Sequence, residues 1–123
     1  MSRGLATAAT LIMLTMLAAP AAQAGQDAPA VSREKAVELY TANCQVCHGP
    51  NGTGSALMKG SAFAGRAWKH GTTQAAVVKT ITNGVQGTMM LPFKEKLSAD
   101  EIAALASLVR SFDPKLKPAG AKK

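Results

Sequence analysis

The residues best suited to chemistry lie within five consecutive positions, Cys44-Gln45-Val46-Cys47-His48. This pattern, C-x-x-C-H, is the attachment signature of a c-type haem. Cysteines three apart at the end of a helix occupy neighbouring positions of one face, so both thiols can reach the two vinyl groups of one porphyrin. The adjacent imidazole is then left for the iron. These are the only two cysteines in the chain. Other uses of the motif lack their context. A thioredoxin-like redox pair sits at a strand-to-helix turn, and no strand pattern precedes Cys44. A zinc site needs four ligands; beyond Cys44, Cys47 and His48 only His70 remains, without the usual spacing. The spacing therefore predicts one haem c, covalent through Cys44 and Cys47, with His48 as an axial ligand.

A six-coordinate haem needs a second axial ligand, and thioether sulfur raises the reduction potential by favouring ferrous iron. Met58, Met89, Met90 and His70 are the candidates. Met89 and Met90 stand out because they lie in GVQGTMMLPF, where helical periodicity offers no core-packing explanation. His70, in the polar turn Trp-Lys-His-Gly-Thr, reads as an exposed or capping residue.

Helices must position these groups. Ser32 is a plausible cap for a helix with Ala36, Val37, Tyr40 and Cys44 at helical spacing, running into the cysteine motif and broken by Gly49-Pro50-Asn51-Gly52. Thr72 or Thr73 can cap a second helix over TQAAVVKTIT, stopped by Asn83-Gly84. Ser98-Ala99-Asp100-Glu101 is a capping box, opening a helix whose Ile102, Leu105, Leu108, Val109 and Phe112 share one face, with Pro114 beyond its end. Loops fill the rest. No strand pattern, internal repeat or nucleic-acid-binding signature occurs.

Composition adds bounds. The 123 residues allow one domain of ordinary size and exclude a two-domain enzyme. The chain is 47% hydrophobic but only 4% aromatic, with a net charge of +7 that favours acidic partners. Part of that apolar content is N-terminal. Arg3, the stretch Leu5–Ala19 and the ending Ala22-Gln23-Ala24 form a secretory signal peptide in the expected order, too short to span a bilayer. Cleavage after Ala24 would leave 99 of the 123 residues and, with only Arg3 lost, a charge of +6. The expected organisation is a signal over 1–24, a flexible lead over 25–31, one domain over 32–113 and a basic tail over 114–123.

With these features the chain resembles the class I cytochromes c of the small bacterial periplasmic kind, from Ser32 to Phe112. An aromatic residue four before the first haem cysteine belongs to the pattern, and Tyr40 is there. Ala36 takes the place of a common Gly. Leu105 and Leu108 stand where the family has Leu and often Tyr, so the helix crossing loses a ring. The family loop Met-Pro-x-Phe resembles Met90-Leu91-Pro92-Phe93 and favours Met90 as sixth ligand, with Met89 kept open because Pro is displaced by one position. The pattern Pro-x-Leu-x-Gly-Arg-x-Trp resembles Ser61-Ala62-Phe63-Ala64-Gly65-Arg66-Ala67-Trp68. It implies that the Ser61 carbonyl accepts the His48 Nδ1 proton and that Arg66 and Trp68 meet the haem propionates.

The resemblance implies an all-α cytochrome c fold, with three main helices and long loops around one haem. It implies a monomeric one-electron carrier rather than an enzyme, periplasmic and without a transmembrane anchor after cleavage. Such a carrier would shuttle between a periplasmic or membrane donor and an acceptor such as a terminal oxidase. Lys59, Lys69, Lys79, Lys94 and Lys96 would ring the haem edge and steer docking to acidic patches on redox partners. Val46, Leu57, Phe63, Val77, Ile81, Leu91, Phe93, Leu105 and Leu108 would line its pocket. The alternatives are an electron-accepting subunit of a periplasmic dehydrogenase and a haem enzyme or sensor with an open sixth position.

Overall fold

Hydroxyl caps begin the three long helices. The computed structural model describes residues 30–58 and 60–116. Ser32 Oγ accepts the Lys35 N–H at 3.2 Å ahead of α1 (Arg33–Asn43). At Cys44 the backbone is stretched (φ −119°, ψ −37°) though still in the right-handed region, and one short turn, α2 (Gln45–His48), follows. The helix expected to run unbroken into the motif is thus two pieces. Thr73, rather than Thr72, caps α3 (Gln74–Asn83) by accepting the Ala76 N–H at 3.1 Å. The capping box forms in both directions before α4 (Ala99–Ser111): Ser98 Oγ accepts the Glu101 N–H at 3.2 Å, and Glu101 Oε2 accepts the Ser98 N–H at 2.9 Å. Each cap satisfies orphan donors and is worth about 1 kcal/mol.

The described residues contain no strand beyond an isolated Ser55–Met58 bridge, so the fold is all-α as expected. The signal peptide, most of the lead, Lys59 and residues 117–123 of the tail lie outside the described residues.

α4 is the central element, with α1 and α3 both packed on it. Its Leu105 and Leu108 are the largest fully buried side chains, and they share a core with Ala36, Tyr40, Val77 and Ile81. The small Ala36 side chain, 1% exposed, permits close approach of α1 to α4. The ring expected to be missing from this crossing is supplied one turn later: Phe112 meets Tyr40 edge-to-face at 5.1 Å. Polar ties fix the start of α3 to α4, where Gln74 Nε2 donates to Ala103 O at 2.9 Å and Arg110 Nε to Thr72 O at 2.6 Å. No helix among the described residues is long and apolar enough to cross a membrane.

Candidate haem site

Between α1, α3, α4 and the two long loops lies a cavity of about 600 Å³, within the roughly 300–1,000 Å³ range of small-molecule sites. Cys44, Cys47 and His48 are all on its wall. Both thiols are free and half-buried. Burial pushes the Cys44 thiol up to about 11, with Lys96 opposing the rise. The folded chain therefore holds Cys44 as a protonated thiol at neutral pH, unlike the low-pKa thiolate of a redox pair.

His48 is oriented from behind. Its Nδ1 lies 2.6 Å from the Ser61 carbonyl oxygen. A carbonyl can only accept, so Nδ1 carries the proton and Nε2 keeps its lone pair free for a metal. The Ser61 hydroxyl also donates within the same turn, reaching the carbonyls of Cys47 and, at 2.7 Å, Met58. Ser61 thus ties the loop over 60–71 to the cysteine motif by both main chain and side chain.

Aromatic rings make one wall. Phe63 lies 5.4 Å from the His48 ring and 5.1 Å from Trp68, and stacks with Phe112 at 6.3 Å. Phe63 is the hub of this cluster. Its rank was signalled only by the presence of an aromatic residue where the family pattern has Leu. Val77, Ile81, Leu91, Phe93 and Leu105 line the cavity as expected. Val46 and Leu57 do not: they are 62% and 80% exposed. Leu108 is turned into the helix interface, and Val109, one residue further around α4, faces the cavity instead.

Tyr40 secures the chain just after the motif. Its hydroxyl donates to Gly49 O at 2.7 Å and accepts the Gly52 N–H at 3.0 Å. Burial pushes the phenol from its ordinary 10 up to about 12, with the Gly52 N–H pulling the other way. The unfolded chain ionises near pH 10 and the folded chain near 12. The stability this phenol contributes is intact below pH 10 and is lost between 10 and 12, about 2–3 kcal/mol in all. Denaturant titrations at about pH 9 and pH 11.5 should show most of that loss, and Tyr40→Phe should remove the phenol's share of the difference, the raised Cys44 thiol contributing a comparable share in the haem-free chain.

Met58, Met89, Met90 and His70 all reach the cavity wall. They differ in burial: Met90 is half-buried and packed against the core, whereas Met89 is 72% exposed. Trp68 is on the wall, but its indole N–H donates to Asp113 Oδ2 at 3.0 Å rather than into the cavity. Arg66 is not brought to this wall. It lines a smaller adjoining cleft of about 360 Å³ that shares Met58, Gly60 and Ala62 with the larger one. Lys69 is on the rim, and Lys79, Lys94 and Lys96 are exposed.

A largely apolar cavity with two thiols, one Nδ1-bonded imidazole and thioether sulfurs fits haem c in both size and donor set. The fold and site define a c-type cytochrome. More particularly, the chain belongs to the family described as cytochrome c oxidase, cbb3-type, subunit III, whose model matches residues 32–109. The Cbb3-type cytochrome c oxidase subunit FixP of Azorhizobium caulinodans is 36% identical over 86 residues, covering 70% of this chain and 28% of that protein. The Cbb3-type cytochrome c oxidase subunit CcoP of Cereibacter sphaeroides is 32% identical over 88 residues, covering 72% of this chain and 30% of the other. The chain spans less than a third of the length of these relatives. Among solved structures, the KustC0563 c-type cytochrome is 36% identical, with a TM-score of 0.56 over 63% of this chain and 96% of its own. The chain is thus an electron-transfer cytochrome domain rather than an enzyme in its own right.

Proposed function

We propose that this chain carries one covalent haem c and passes single electrons to a cbb3-type terminal oxidase. The observation that carries the reading is the convergence of Cys44, Cys47 and an Nδ1-bonded His48 on one wall of the apolar cavity. When bound, the haem supplies the one-electron ferric/ferrous couple. Cys44 and Cys47 would hold it by thioether bonds, and His48 Nε2 and the Met90 sulfur would hold the iron. The Ser61 carbonyl, by accepting the Nδ1 proton, fixes the imidazole's tautomer and raises its basicity. Phe63, Val77, Ile81 and Leu105 exclude water, which keeps reorganisation on electron transfer small. Arg66, on the adjoining cleft, would supply a cation for a propionate.

The relatives are oxidase subunits, which supports an oxidase rather than a dehydrogenase as the assembly served. Export behind a cleaved signal would place the domain in the periplasm, over 32–113, with its lysines turned to acidic partner surfaces. The mass of the protein recovered from the periplasmic side tests the reading. The expected mass is that of the chain from Gly25 with one haem that survives denaturation, and a chain without covalent haem refutes it. Co-purification with the oxidase in fixed ratio then separates a resident cytochrome from a freely diffusing monomer.

A further inference from the structure

Asp113 is the only buried charged side chain among the described residues, 3% exposed just past the end of α4. A buried carboxylate is costly unless its oxygens are hydrogen-bonded. Here both are. Oδ2 accepts the Trp68 indole N–H at 3.0 Å, and Oδ1 accepts the Lys115 backbone N–H at 3.0 Å. Its main chain is fixed as well, the N–H donating to Arg110 O at 3.2 Å and the carbonyl accepting from Leu116 N–H at 3.0 Å. No cation pairs with it among the described residues.

We propose that Asp113 is a positioning residue for the haem cavity: it locks the Trp68 ring from behind and commits the indole N–H to the protein instead of to a propionate. The inference deepens the haem reading and rests on it. The path is short. Asp113 holds Trp68, Trp68 packs on Phe63 at 5.1 Å, and Phe63 packs on the ligand imidazole at 5.4 Å. The bond spans 45 residues of chain and ties the loop that carries Ser61, the His48 acceptor, to the end of α4. Asp113 lies just beyond residues 32–109, which the family model matches. A carboxylate acceptor makes a stronger bond to an indole N–H than a neutral one. The ring is accordingly held rigidly while the cavity face stays apolar.

The chain has one tryptophan, so the reduced, diamagnetic haem protein gives a single indole N–H signal to follow by NMR. The expected result is slow solvent exchange in the wild type, accelerated about ten- to a hundredfold by Asp113→Ala. Asp113→Asn, which keeps an acceptor oxygen, should retain most of that protection. Both variants remove the same charge, so any common shift in reduction potential is electrostatic. The positioning role is read in the difference between them, with the potential of Asp113→Ala displaced further, and in its disappearance when Trp68→Phe is added to each. An indole signal unchanged in shift and exchange by Asp113→Ala overturns the proposal, because the proton then goes elsewhere. Equal potentials for the Asn and Ala variants overturn it too. If Asp113→Ala does not fold, Asp113→Asn carries the test alone, and an unmoved indole resonance is the overturning result. Loss of the haem reading would show separately, as a protein mass lacking haem while the indole signal still reports the bond.

Discussion

In the ferric protein, Met90→Ala is expected to remove the weak near-infrared charge-transfer band of thioether-ligated haem, and Met89→Ala to leave it in place. The reduction potential should fall with it, by on the order of a hundred millivolts or more within the roughly 0.8 V that axial ligation spans. The two methionines are adjacent, and the loop separates them. Met90 is anchored on both sides: its carbonyl accepts the Val85 N–H at 2.8 Å, and its N–H donates to Thr88 Oγ1 at 3.1 Å. Gly84 allows this approach, since a Cβ there would sit 2.4 Å from the Met90 oxygen and its φ of +66° suits glycine. Further on, the Phe93 N–H donates to Ile81 O at 3.1 Å, docking the loop on α3. Met90 is therefore held half-buried at the wall, while Met89 is left 72% exposed. Sulfur favours ferrous iron, so removing it lowers the potential. A band lost in Met89→Ala instead would move the ligand by one residue. A band lost only in Met58→Ala would move it to the other loop. Its absence from the wild type would favour an open sixth position, and with it a haem enzyme or sensor.

What was legible in the sequence was local. Ser32, Thr73 and Ser98 announce their helices because a cap is a contact over three residues, and the cysteine motif is read within five. The kink at Cys44 escaped because its neighbours keep helical spacing on either side. Contacts across the chain escaped for a different reason. Nothing near Trp68 signals Asp113, 45 residues away, and the family pattern pointed its indole to a propionate. Leu108 and Val109 exchanged places because adjacent helical residues differ by about 100° in direction, and periodicity alone does not say which edge of an apolar stripe meets the cavity. Periodicity and family position put Val46 and Leu57 on the cavity wall, but apolar residues on a single turn or loop are often left in water.

A large loss of stability is expected from Gly52→Ala, because that residue is where the Tyr40 and Phe63 clusters meet. Its N–H donates to the Tyr40 hydroxyl at 3.0 Å, and its carbonyl accepts the N–H groups of Phe63 and Ala64 at 3.0 and 3.1 Å. Its φ is +72°, and a Cβ would lie 2.3–2.9 Å from three carbons of the Phe63 ring. The left-handed backbone costs an alanine roughly 1–2 kcal/mol, and displacing a packed ring about 1–3 more. A sum of about 2–5 kcal/mol is a large part of a small domain's stability and corresponds to a fall in Tm of roughly 10–30 °C. Gly87→Ala is the control. Its φ of +76° carries the same backbone cost, but its Cβ meets nothing within 4 Å. The excess of the Gly52 variant over the Gly87 variant measures the contact with Phe63. Adding Phe63→Leu, the shorter residue of the family pattern, should recover part of that excess and none of the backbone cost. If the two glycine variants melt together, Phe63 does not sit against Gly52, and the path from Tyr40 through Phe63 to His48 loses its support. The ring that would be pushed aside is the one packed on the His48 imidazole, so the same substitution should also weaken haem retention during maturation.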